Sequence, residues 1–104
     1  MPLTMTQKAD FVIAEFDTEL TIFNVREAHS ILQAGLAKAP DRLILDVTAL
    51  QDLDSAGLQL LLWTLAQVRA PAQAVISAGD NPQFSRVSDL YAVQWPTHFT
   101  SQDD

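Results

Sequence analysis

Apolar residues along the chain fall into a few short runs and into stretches with helical spacing. Phe11 to Phe16 and Leu20 to Phe23 read as two short strands separated by Asp17-Thr18-Glu19, which predicts an antiparallel hairpin. Asn24 then opens a helix, with Glu27 three residues later in a capping-box position and an apolar stripe of Ala28, Ile31, Leu32 and Leu36. Lys38 lies near its end, and Pro40 stops it. Residues 43–47, Leu-Ile-Leu-Asp-Val, have little polar alternation and suit a strand covered on both faces. A leucine-rich helix follows from about Ser55 to Ala70, closed by Pro71, and 74–78 reads as another buried strand. Asn81 as cap with Pro82 at the first helical position starts a third helix, whose apolar positions are Phe84, Val87, Leu90 and Tyr91. Val93 to Trp95 adds a short final strand to this reading. Residues 1–9 and Thr100 to Asp104 are polar and are expected to be loose, outside an ordered core of about 10–95.

The order is ββαβαβα. A helix joins the strands at 43–47 and 74–78, so these two are expected to pair in parallel through a right-handed crossover. The fold class is α/β, with a mixed sheet, an N-terminal hairpin and helices packed mainly on one face. Placing residues 100° apart puts Leu58, Leu61, Leu62, Leu65 and Val68 of the second helix toward the sheet. Leu60 and Trp63 fall outside that stripe, beside Ala56, Gln59 and Gln67. Incidental exposure explains such a pair, and so does a docking surface, where tryptophan is enriched.

Composition narrows the functions. The 104 residues fit one domain, and the 48% hydrophobic content is that of a globular chain with no apolar run of membrane-spanning length. The first eight residues lack the basic start and apolar centre of a secretory signal, so a cytoplasmic protein is expected, with no direct membrane insertion. Having no cysteine removes disulfides, thiolate nucleophiles and sulfur-ligated zinc. A net charge of −7, from 13 acids against 6 bases, opposes nucleic acid and favours a protein partner with a basic or mixed surface.

Candidate chemistry concentrates beyond the carboxyl end of the central strand, where ligands and modification sites of α/β folds collect. There the chain carries Asp52, Asp54 and Ser55. Helix capping accounts for Asp54 or Ser55 unaided, since one of them must end the loop. A phosphate on Ser55 is the functional reading: it brings about −1.5 to −2 charges to the rim of the Leu60–Trp63 surface, at a helix mouth that tolerates an anion. Magnesium held by Asp46, Asp52 and Asp54 is disfavoured by the absence of a glycine-rich phosphate cradle, which also leaves no cofactor expected. A serine hydrolase needs a base near Ser55, and the histidines, His29 in the first helix and His98 near the end, are distant in sequence. His29 is expected on a helix surface and His98 in a loose tail. A response-regulator receiver would use Asp46 as phosphoacceptor, yet no acidic pair follows the first strand and no lysine follows Lys38.

The hairpin start, the Leu43-Ile44-Leu45-Asp46 strand and Asp54-Ser55-Ala56-Gly57-Leu58 together resemble the STAS domain of bacterial anti-sigma factor antagonists. This resemblance implies a non-enzymatic module that binds a serine kinase of histidine-kinase-like ATPase fold, itself an anti-sigma factor, and is released when its serine is phosphorylated. Ser55 takes the phosphoacceptor role, Asp54 the acidic position before it, and Asp46 the aspartate ending the central strand. The partner surface is then Asp52, Asp54, Ser55, Ala56, Gln59, Leu60 and Trp63. The wording from Asp54 to Leu62 is also similar to small STAS proteins of chemotaxis clusters. Other members work without phosphorylation, as a constitutive subunit of a lipid-transport ATPase complex. The family's last helix has no counterpart after Trp95, so the surface it covers is expected to be open.

Overall fold

The computed structural model describes residues 1–100. Strands β1 (Leu3–Gln7), β2 (Val12–Phe16), β4 (Arg42–Asp46) and β6 (Gln73–Ser77) form one sheet in the order β1-β2-β4-β6. The β1–β2 pair is antiparallel, whereas β2–β4 and β4–β6 are parallel. Two-residue strands β3 (Glu19–Leu20) and β5 (Asp52–Leu53) pair in parallel as a separate small sheet. Helices α1 (Val25–Leu36), α2 (Ser55–Gln67) and α3 (Pro82–Leu90) complete the domain.

The hairpin therefore lies one strand earlier than expected. Its first strand is β1, inside the segment read as loose, and Leu3 is 1% exposed. Leu3 and Met5 alternate with Thr4 and Thr6, the period of a strand buried on one face only. Lys8-Ala9-Asp10-Phe11 closes the turn, the Lys8 amide donating to the Phe11 carbonyl at 2.8 Å. The segment expected to return against β2 instead gives Leu20 to β5 and turns out into solvent at Ile22 and Phe23.

Register decides which residues are core. Leu3, Met5, Ala14, Phe16, Leu43, Leu45, Ala74 and Ile76 share one sheet face. They pack in one cluster with Ala28 and Leu32 of α1, Leu58 and Leu61 of α2, and Phe84 and Val87 of α3, which places the helices on that face. On the opposite face Ile13, Ile44 and Val75 form a row, and Ile44 is only half-buried, so cover of the central strand is one-sided rather than complete.

Three further expectations are corrected. Asn24 flanks α1 without a side-chain cap: its Oδ1 accepts from the Thr21 amide at 2.9 Å and its Nδ2 donates to the Glu19 carbonyl at 2.8 Å, so the capping box is not formed. Leu90 and Tyr91 are exposed, 77% and 51%, because α3 buries Ser88 along with Phe84 and Val87. Residues 93–95 form no strand; the Trp95 indole donates to Ser88 Oγ at 2.8 Å and packs 5.4 Å from the Phe84 ring. The chain then follows the free edge of β6. The Ile76 amide donates to the Pro96 carbonyl at 2.7 Å, Gln73 and Thr100 exchange hydrogen bonds, and Phe99 lies over Arg42. Of the terminal segment expected to be loose, Thr100 is thus tied to β6, and residues 101–104 lie outside the described residues.

Candidate functional site

The mouth of α2 is built by the small β3–β5 sheet. The Thr18 carbonyl accepts from the amides of Gln51 and Asp52 at 2.8 and 2.9 Å, and the register sets Glu19 beside Asp52 and Leu20 beside Leu53. Pairing so short holds because Leu20 and Leu53 are core residues. Gly57 sits where α2 meets β3: a Cβ there would lie 2.1 Å from the Leu20 carbonyl oxygen and 2.8 Å from Leu53 Cδ1. Only a residue without a side chain permits that approach.

Asp54, in extended conformation, is the N-cap of α2, its Oδ1 accepting from the Gly57 amide at 3.0 Å. Its Oδ2 accepts from the Ile22 amide at 2.9 Å, linking the β3–α1 turn to the start of α2. The choice of cap left open by the sequence thus falls on Asp54. Ser55, the first helical residue, is exposed, and among the described residues its hydroxyl has no hydrogen-bond partner. Asp46, by contrast, closes β4 locally: its Oδ1 accepts from the Thr48 amide at 3.0 Å and from Thr48 Oγ1 at 2.7 Å. Among the described residues no three His, Asp or Glu side chains gather as a metal site.

The sequence stripe on α2 is turned relative to the observed one. Leu58, Leu60, Leu61 and Thr64 are buried together with Gly57, whereas Leu62 is 40% exposed and Leu65 and Val68 are half-buried. Leucines surround this helix, so hydrophobicity discriminates poorly among its faces. Its orientation is set by the two small residues at the centre of the buried arc, Gly57 against β3 and Thr64, whose hydroxyl donates to the Leu60 carbonyl at 2.8 Å.

Leu60, at 7% exposure, is accordingly part of the core and not a free apolar anchor. It still contributes to a shallow groove of about 460 Å³ between α1 and α2, which Ala56, Gln59 and Trp63 also line. Ile22, Val25, Arg26 and His29 form its other wall, all four missed as site residues. His29 lies on the helix surface as expected, half-buried, with its ring 4.5 Å from that of Trp63 across the groove. His98 is exposed beside Thr97, on another segment. A signal for Ile22 and Phe23 was present: a helix opening at Asn24 leaves no room for a strand over 20–23 to end.

This constellation is an exposed serine at a capped helix mouth, flanked by acids and an apolar groove, on a one-sided mixed sheet. Among solved structures the fold is that of anti-sigma factor antagonists. The chain is similar to one from Mycobacterium paratuberculosis, with TM-score 0.76, 18% identity, and coverage of 86% of this chain and 76% of that one. It is also similar to an anti-sigma-factor antagonist (STAS) domain protein from Planctomyces limnophilus, with TM-score 0.73, 19% identity, and coverage of 97% and 92%. The Bacillus cell fate determinant SpoIIAA in its phosphorylated form aligns with TM-score 0.65, 19% identity, and coverage of 86% and 82%. The STAS domain family model matches residues 2–92, and the chain belongs to that family. A search of curated proteins found no significant match.

Proposed function

We propose that this STAS domain is a phosphorylation-controlled protein-binding module of bacterial signalling and not an enzyme, with Ser55 as phosphoacceptor. The observation that carries the reading is the division of labour at the mouth of α2: Asp54 takes the cap, which leaves the Ser55 hydroxyl exposed and without a partner among the described residues. The partner is a serine kinase of histidine-kinase-like ATPase fold. In the transfer, Ser55 Oγ forms a bond to the terminal phosphorus of a nucleoside triphosphate held by the kinase. The bond from that phosphorus to the departing diphosphate breaks, and the hydroxyl proton leaves to a kinase base. Asp52, Asp54, Ala56, Gln59 and Trp63 form the docking face with the serine at one end, and Leu60 supports it from the core. SpoIIAA, a structural neighbour solved in phosphorylated and unphosphorylated forms, supports the comparison.

Phosphosite mapping of the protein purified from its native cells, with identification of what copurifies, tests this. Phosphate on Ser55 and a copurifying kinase are expected. An unmodified Ser55 in a stoichiometric complex with a transport ATPase would instead favour a constitutive subunit.

A further inference from the structure

Two apolar side chains in the turn held by Asp54 stand largely in solvent. Ile22 and Phe23 are 64% and 89% exposed in the turn between β3 and α1. That turn is organised from within: the Thr21 amide and the Asn24 amide group bond as described above, and the Phe23 amide donates to Thr21 Oγ1 at 3.3 Å. Among the described residues, residues 21–24 and 54–57 share a single hydrogen bond, from the Ile22 amide to Asp54 Oδ2. One carboxylate therefore does two jobs, capping α2 with one oxygen and holding the turn with the other.

Building on the phosphoacceptor reading of Ser55, we propose that Asp54 couples this serine to the Ile22–Phe23 turn. A phosphate on Ser55 weakens the Asp54–Ile22 hydrogen bond and frees the turn, withdrawing Ile22 from the wall of the docking groove. The modified residue is the immediate neighbour of Asp54, so a dianion is forced next to a carboxylate. Asp54 responds by turning away from the phosphate, which makes it a poorer acceptor for the Ile22 amide. The phosphate oxygens also compete for the amides at the start of α2, which are open to an anion. Glu19 and Asp52, side by side on β3 and β5, add negative charge around the mouth. Because the helix start itself favours the anion, α2 stays folded and the change is confined to the turn.

The test uses the full chain with phosphoserine installed at position 55 during translation, and reads amide hydrogen exchange and chemical shift by NMR. The Ile22 amide is expected to exchange about tenfold faster in the phosphoprotein, as weakening of one charge-assisted hydrogen bond by about 1.4 kcal/mol implies, with the amides of β4 unchanged. Asp54→Asn retains one acceptor oxygen for the cap and replaces the other with a donor. It should speed Ile22 exchange without any phosphate, and phosphate should then add little. Unchanged Ile22 exchange in the phosphoprotein overturns the coupling, as does an equal phosphate effect in the Asp54→Asn background. Should that variant not fold, the phosphoprotein alone decides. Because the phosphate is installed directly, failure of the coupling is separate from failure of the phosphoacceptor reading, which shows as absence of phosphate on Ser55 in native cells.

Discussion

Helices α2 and α3 both begin just past strands, and both open with a short polar cap, yet the two mouths are built differently. At α3, Asn81 is 8% exposed, and its amide group donates to the carbonyls of Val47 and Leu50, each at 2.8 Å. Its Oδ1 accepts from the amides of Gln83 and Phe84 at 3.0 and 3.1 Å, and Pro82 after it has no amide to satisfy. Asn81 is a brace between the end of β4 and α3, with its polar atoms engaged inside the chain. At α2, Asp54 brings a carboxylate to a half-exposed position, and the hydroxyl of the residue after it has no partner among the described residues. The mouth of α3 uses its polar atoms internally, whereas the mouth of α2 leaves a hydroxyl outside.

Exchanging the two cap chemistries is the severest way to break that comparison. Asn81→Asp keeps an acceptor for the helix amides but turns a second oxygen toward the Val47 and Leu50 carbonyls, in a buried site with no cation. The expected loss is about 3 kcal/mol at neutral pH, or roughly 12–24 °C in Tm for a domain of this size, measurable by thermal unfolding. Burial raises the carboxyl's folded pKa above its unfolded value, so the protonated form is the compatible one. The loss should therefore shrink as pH falls below the folded pKa and be complete above it.

How far each mouth was legible in the sequence follows from the same physics. Asn81-Pro82 is a local signal and predicted α3 correctly at its start, as Asp54-Ser55 did for α2. What a local reading lacked was the long-range partner. Nothing near Ile22 announces that its amide meets a carboxylate 32 residues away, and a two-residue pairing such as β3–β5 has too few residues for alternation to appear. β1 was hidden for another reason: only Leu3 and Met5 of its five residues are apolar. The face of α2 was misjudged because small residues, not leucines, mark where a helix comes closest to its neighbour. That bears on the candidate site, since it moved Leu60 from the docking surface to the core.

Gly57→Ala tests the close approach. The added Cβ would meet the Leu20 carbonyl, which is backbone and cannot rotate away, so α2 must shift from β3. A loss of about 2 kcal/mol is expected in denaturant unfolding, with the largest NMR shift changes at residues 20–22 and 54–58. If the same substitution changed stability by less than about 0.5 kcal/mol, the small β3–β5 sheet would not be what positions the serine.

Ser55→Ala should do least to the fold and most to the function. The hydroxyl makes no hydrogen bond within the described chain and the residue is exposed, so unfolding free energy should change by less than about 0.5 kcal/mol. Alanine is also a good helix former at this position, which removes a propensity penalty from the account. The comparison with Asn81 predicts this gap directly: side chains engaged inside the chain carry stability, and those left outside do not. A loss of more than about 1 kcal/mol on Ser55→Ala would mean that the hydroxyl belongs to the cap after all, and that the serine is structural in the sense Asn81 is. A stability unchanged within error, together with loss of phosphate uptake from the partner kinase in a radiolabel assay, would place Ser55 on the chemical side of the division.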